Sequence, residues 1–156
     1  MFRGGMSASS VTKAGNIDIA FGKNINLKTF ANRTASNSFH SWEQIPGYST
    51  LKSGFNNFED AFRYAAQSAV NTNGKIFFNL EYVNLQAVGN IKAGTGLYQK
   101  LDNLGGKSLW EMNMTTEWEL SQVLNNKQLL KITEFQKMGK SVPLATVKAA
   151  TEAKTK

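Results

Sequence analysis

The chain has 156 residues, a formal net charge of +7 and no cysteine. This length fits one domain with a sizeable core. The missing thiols exclude disulfides, zinc–thiolate sites, iron–sulfur clusters and cysteine nucleophiles. No apolar run approaches the roughly 18 residues of a membrane span, so none is expected. The positive charge predicts a polyanion or an acidic protein as partner.

The first elements are predicted from alternating apolar and polar residues. Residues 16–22 and 25–30 both show this strand-like period, although the second is interrupted at Thr29. The short polar stretch between them favours a hairpin. Residues 31–56 are polar and rich in turn formers, and such long irregular segments often carry function.

A helix is predicted over residues 57–71. Asn57 is a suitable N-cap, and the apolar residues that follow form one stripe at helical spacing. Asn and Gly residues at 71–74 end the helix. Residues 75–83 then alternate as a central strand.

The last third is predicted as a strand (107–114), a helix (115–126) and a hairpin (129–144) that turns at Met138–Gly139. Thr116 and Glu119 have the spacing of a capping box at the start of this helix. The irregular mixture of helices and strands predicts an α+β fold, with helices packed on a mostly antiparallel sheet. We expect one domain over residues 1–144 and a mobile tail over residues 145–156.

The segment "SNSFHSWEQ" (36–44) contains the only histidine, His40. An imidazole titrates near neutral pH and is suited to proton transfer. RNA cleavage needs a base for the 2′-hydroxyl, an acid for the leaving 5′-oxygen and a cation near phosphorus. We predict His40 as one proton-transfer group and Glu43, Tyr48 or a lysine as the other. The alternative is a surface or structural histidine.

Further candidates surround these groups. Arg33 is predicted to stabilise the phosphate charge, and Trp42 to stack on a base, with Tyr48 also in substrate binding. Thr115 and Thr116 open a predicted helix, where backbone amides can meet a phosphate.

Lysines are concentrated between residues 127 and 142, where Glu134 is the only acidic residue. On the predicted hairpin Lys131 and Lys137 share one face, which is expected to bind phosphate. Arg63, which lies off the apolar stripe of its helix, is also assigned to substrate binding. For the lysines of the hairpin, the alternative is a solvated edge strand that lysines protect from aggregation.

Glu117 and Glu119 form an E-x-E pair in "TTEWEL" (115–120). On a loop this pair resembles the catalytic turn of ADP-ribosyltransferases, which also use an early arginine and a Ser-Thr-Ser strand. Arg3 and the serines of residues 34–38 are the counterparts here, although the middle motif departs from Ser-Thr-Ser.

Three segments of the second half resemble the C-terminal toxin domains of bacterial polymorphic toxins, of the contact-dependent inhibition and Rhs types. They are "GKIFFNLEYVN" (74–84), "TTEWELSQVLNN" (115–126) and "LLKITEFQKMGKSV" (129–142). Their order is a strand, a helix that starts with a Thr-x-x-Glu-Leu pattern, and a strand that ends at a glycine turn.

The resemblance implies a domain secreted within a larger protein and delivered into the cytoplasm of a target bacterium. Such domains are often nucleases, frequently of tRNA, and a cognate immunity protein, here expected to be acidic, neutralises them. A recurrent architecture among them is the barnase/EndoU/colicin/RelE-type α+β fold. EndoU-type enzymes use two histidines, whereas this chain has one, so its acid–base pair must be assembled differently.

The leading hypothesis is therefore a ribonuclease that uses His40 and needs neither metal nor cofactor. One alternative is an ADP-ribosyltransferase or other NAD-consuming toxin. A second is a non-enzymatic module that binds nucleic acid.

Overall fold

The computed structural model describes residues 15–23, 25–38 and 57–152. These residues contain five strands: β1 (Ile19–Phe21), β2 (Asn37–Ser38), β3 (Ile76–Asn79), β4 (Thr133–Lys137) and β5 (Lys140–Val142). They also contain six α-helices: α1 (Leu27–Thr34), α2 (Phe58–Asn71), α3 (Leu85–Gly89), α4 (Thr115–Leu124), α5 (Lys127–Lys131) and α6 (Leu144–Glu152).

The strands form one mixed sheet in the order β2-β1-β3-β4-β5. The fold is α+β, as the sequence predicts. The prediction of a mostly antiparallel sheet is wrong, because β1 pairs in parallel with both β2 and β3, and β3 with β4. The antiparallel pair is β4 with β5. Parallel neighbours need long crossovers, which helices α1, α2, α4 and α5 help to supply.

Both faces of the sheet are covered. Side chains alternate along a strand, so Ile19 and Phe21 face one side of β1 and Ala20 faces the other. Ala20 packs with Leu27, Phe30 and Ala31, which places α1 on that face. The opposite face holds the larger core, where the Phe62 ring of α2 lies 5.0 Å from the ring of Phe21 and 5.2 Å from that of Trp118 on α4.

Two predicted strands are absent from the described residues. Residues 27–30 of the predicted strand 25–30 belong to α1, because Leu27, Phe30 and Ala31 follow helical spacing and are buried. The helical spacing of these residues explains why the predicted alternation is interrupted at Thr29. Residues 107–114 form turns, with one isolated bridge between Leu101 and Lys107.

Helix α2 and the β4–β5 hairpin confirm their predictions. The side chain of Asn57 caps α2 by accepting a hydrogen bond from the Asp60 amide at 3.1 Å. The hairpin turns at Met138 and Gly139, both with positive φ. Residues 129–131, expected in the first strand of this hairpin, instead belong to α5, and the side chain of Asn126 caps this helix.

Residues 144–152 form α6, whereas the sequence predicted a mobile tail from residue 145. Val147 and Thr151 are buried, and α6 packs against α3. Within the described ranges, no helix combines the length and the apolar composition needed to cross a membrane.

The contact between α3 and α6 gives a test of the fold. Gly89 lies so close to α6 that a Cβ atom there would overlap the carbonyl oxygen of Thr151. We expect Gly89→Ala to lower the free energy of unfolding by about 1–3 kcal/mol and to speed amide exchange in α6. The exposed neighbour Asn90, changed to Ala, should alter stability by less than about 0.5 kcal/mol. Equal effects of the two substitutions in urea unfolding would contradict this packing.

Candidate functional site

The carboxyl ends of β1, β3 and β4 lie at one edge of the sheet, because these strands are parallel. β1 lies between β2 and β3 in the sheet. The chain passes from β1 to β2 on one side of β1 and later forms β3 on the other side. Such a reversal of strand order opens a crevice beyond the carboxyl ends of the strands, where α/β sheets bind ligands. Here Gly22 follows β1, and a Cβ atom on it would lie 3.0 Å from the Cβ of Asn79. We call this region the carboxyl edge.

A lysine–glutamate pair lies at the carboxyl edge. Lys23 Nζ lies 2.7 Å from Glu117 Oε1 on α4, and the glutamate side chain is almost fully buried. The second oxygen of Glu117 accepts a hydrogen bond from the Asn84 amide at 2.9 Å. The lysine side chain remains 22% exposed. A buried carboxylate with two partners of this kind is tolerated in the interior, and it fixes the position of the lysine at the surface.

Glu119 lies two residues further along α4 and is 3% exposed. Burial raises the pKa of its carboxyl group well above the usual value of 4.5. The positive charge of Lys23 opposes this shift, and the negative charge of Glu117 adds to it. Glu119 therefore keeps its proton at a higher pH than an ordinary glutamic acid, which suits a proton donor.

An asparagine–glutamate network continues along the carboxyl edge. Asn79 Oδ1 accepts a hydrogen bond from the Glu81 amide at 3.2 Å, and Asn26 Nδ2 donates to Glu81 Oε1 at 3.0 Å. Among the described residues, two buried atoms of this network have no hydrogen-bond partner: Asn79 Nδ2 and Asn26 Oδ1. Unsatisfied buried groups are costly, and where they persist they often mark functional sites.

Two lysines extend the carboxyl edge on its far side. Lys137 ends β4 and lies directly opposite Lys140 at the start of β5. Like charges directly opposite each other on a sheet are destabilising. Neither lysine has an ion-pair partner in the part of the chain that the structure describes. Within the described residues the pair therefore presents two positive charges without an ion-pair partner at the carboxyl edge.

The threonines predicted for catalysis lie near this site. Thr116 is buried, and its hydroxyl donates to the carbonyl of Gly22 at 3.5 Å. This contact places the N-terminus of α4 at the carboxyl edge, with Thr115 beside it. The predicted capping box is wrong, because Met114 occupies the N-cap position and no side chain caps the helix. Glu119 is buried near Lys23 instead.

The basic residues predicted for the site are dispersed. Arg33 lies in the last turn of α1, from which the chain returns to the start of β2 at the amino edge. Its guanidinium carbon lies 5.3 Å from the centre of the Phe30 ring. Arg63 lies 3.9 Å from both Glu59 and Asp60 on its own helix. Lys131 precedes β4 and Lys137 ends it, so the expectation that they share one binding face is wrong.

Four predicted residues lie outside the described residues: His40, Trp42, Glu43 and Tyr48. Their roles stay predictions. β2 ends at Ser38, at the carboxyl edge, and His40 follows two residues later in the sequence.

Sequence reasoning missed Lys23, Asn26 and Asn79. The available signals were a glycine and a lysine directly after a strand, and a polar residue within the apolar run "IFFNL" (76–80). Neither signal identifies a partner, because Lys23 and Glu117 are 94 residues apart.

No group of three or more acidic or histidine side chains suited to a metal ion occurs within residues 15–23, 25–38 and 57–152. No family model, curated protein or solved structure matches the chain. The function is therefore inferred from the side chains at the carboxyl edge.

The raised pKa of Glu119 predicts how stability depends on pH. Above pH 4.5 the unfolded chain releases this proton while the folded protein keeps it. Stability should therefore fall as pH rises above this value, by at most about 1.4 kcal/mol per pH unit from this group, until the folded-state pKa is passed. Glu119→Gln should remove this pH-dependent component, so the variant should become increasingly stable relative to the wild type as pH rises.

Urea unfolding between pH 4.5 and 8 measures this difference. Gln122→Ala, an uncharged change on the same helix, should keep the wild-type slope. A Glu119→Gln protein with an unchanged slope would contradict the shift.

Proposed function

We propose that the chain is a toxin-type enzyme domain that cleaves RNA at the carboxyl edge without a metal ion. The observation that carries this proposal is the cluster of Lys23, Glu117 and Glu119. It combines a held cation with a carboxyl group whose pKa is raised by burial. Cleavage of RNA by its own 2′-hydroxyl requires both kinds of group.

The proposed reaction assigns one role to each of these groups. The 2′-oxygen attacks phosphorus while a base removes its proton, and the bond from phosphorus to the 5′-oxygen breaks. Glu119 gives its proton to that leaving oxygen, and Lys23 neutralises charge on the phosphate. The products are a 2′,3′-cyclic phosphate and a free 5′-hydroxyl. Glu117 is a positioning residue, since it holds Lys23 at 2.7 Å.

His40 remains the proposed base, from the chemistry of its imidazole and its place two residues after β2. The cationic role predicted for Arg33 passes to Lys23, since Arg33 lies at the amino edge. Lys137 and Lys140 are proposed to contact phosphates next to the cleaved one, because they carry uncompensated charge at the same edge.

The RNA class, the immunity protein and delivery into a target bacterium are also part of the proposal. The net charge of +7 suits both an RNA substrate, with tRNA the expected class, and an acidic immunity protein. Delivery into a target bacterium is inferred from the resemblance to polymorphic toxin domains. For the NAD-consuming alternative, Glu117 and Glu119 would be expected on an exposed loop, whereas here they are buried within α4.

Cleavage of RNA in the presence of a chelator tests the mechanism. The wild type should fragment total or transfer RNA in EDTA and leave 2′,3′-cyclic ends. His40→Ala and Glu119→Gln should each lower kcat about 10²–10⁴-fold, as loss of an acid or base does. Lys75→Ala, an exposed lysine before β3 at the amino edge, should be fully active.

Intact RNA with folded wild-type protein would reject the ribonuclease. Consumption of NAD that Glu117→Ala or Glu119→Ala abolishes would favour the alternative enzyme.

The two lysines of the hairpin give a separate test. Lys137→Ala should weaken RNA binding and reduce the slope of log affinity against log salt by about one unit. Lys75→Ala changes the charge equally at the opposite edge and should leave the slope nearly unchanged. Fluorescence anisotropy over a salt series measures both, and equal slopes for the two variants would rule out a phosphate contact at Lys137.

A further inference from the structure

Tyr82 has a backbone conformation that tyrosine rarely adopts. Its φ is +66°, in the turn from Leu80 to Val83 that follows β3. The amide of Val83 donates to the carbonyl of Leu80 at 3.1 Å and closes the turn. Turns with a positive φ at the third position normally have glycine or asparagine there. For a bulky aromatic residue this conformation is an outlier that the surrounding structure must hold.

The asparagine–glutamate network holds the turn. Glu81, the residue before Tyr82, receives a hydrogen bond from Asn26 on its carboxylate and donates its amide to Asn79. Asn79 is fully buried. The turn is therefore fixed from two sides by interactions that do not involve the side chain of Tyr82.

Packing does not explain the tyrosine. Its side chain is 66% exposed, and among the described residues no ring contact or hydrogen bond of its side chain occurs. Ile25 and Met138, on the loops that follow β1 and β4, are exposed at 77% and 74%. The loops of the carboxyl edge thus present apolar side chains next to Lys23, Lys137 and Lys140.

We infer that Tyr82 is the platform on which a nucleobase of the RNA stacks beside the cleaved phosphate. Aromatic faces interleaved with lysines are the arrangement that single-stranded nucleic acid fits, since the lysines track the backbone and the rings receive the bases. The turn keeps the ring exposed at the carboxyl edge before the substrate arrives. This inference rests on the proposed ribonuclease and names the part of the substrate that the site recognises.

The test separates binding from cleavage. The probe is a 2′-O-methyl RNA of about six nucleotides, which lacks the attacking hydroxyl and cannot be cut by the proposed route. Tyr82→Gly should lower its affinity at least about fivefold, the lower end of the effect of losing one stacked base. Tyr82→Phe keeps the ring and should bind within twofold of the wild type. An abasic oligonucleotide of equal length and charge should bind the wild type and Tyr82→Gly equally.

Stability provides the second readout. Tyr82→Gly removes the left-handed strain, which offsets the entropy that glycine adds to the unfolded chain, so its unfolding midpoint should stay close to that of the wild type although it binds RNA less well. Equal affinity of Tyr82→Gly and the wild type would overturn the inference, as would a midpoint far below that of the wild type, which would show that the ring packs structurally. If the wild type binds the oligonucleotide in a base-dependent way but cleaves no RNA, the stacking role of Tyr82 is upheld and the ribonuclease is rejected.

Discussion

The ion pair between Lys23 and Glu117 is the interaction on which the carboxyl edge depends. Glu117 is nearly buried within α4, and its charge is stable there because Lys23 and the amide of Asn84 compensate it. The same pair ties the loop after β1 to the central helix and sets the electrostatic surroundings of Glu119. One contact therefore positions a cation and influences the protonation of Glu119.

The parallel sheet makes this convergence possible. Because β1, β3 and β4 run in one direction, the residues that follow them meet at one edge although they are far apart in the sequence. Lys23, Glu81 and Lys137 each follow or end a different strand. The reversal of strand order between β1 and β3 places these groups in the region where α/β sheets bind ligands. The asparagine atoms that lack a partner among the described residues and the positive φ of Tyr82 lie at the same edge, and features of both kinds cluster at functional sites.

The sequence predicts those parts of the fold that local patterns determine. The cap and apolar stripe identify α2, and the glycine turn identifies the β4–β5 hairpin. The alternation in residues 16–22 and 75–83 favours half-buried antiparallel strands, whereas β1 and β3 are short runs buried on both faces, as is typical of parallel strands. Glu117 and Glu119 can be identified in the sequence as a charged pair in an otherwise largely apolar helix. Their partner Lys23 could not be found, since the contact spans 94 residues.

These features describe a basic domain in which a buried acid and a held lysine share one edge of the sheet with exposed aromatic and lysine side chains. The pKa of Glu119 tests this description most directly, because it depends on both burial and Lys23. A ¹³C NMR titration of the Glu119 carboxyl carbon should show a midpoint well above 4.5 in the wild type and a still higher one in Lys23→Met, which removes the opposing positive charge. A midpoint near 4.5 that does not move in Lys23→Met would contradict the proposed site.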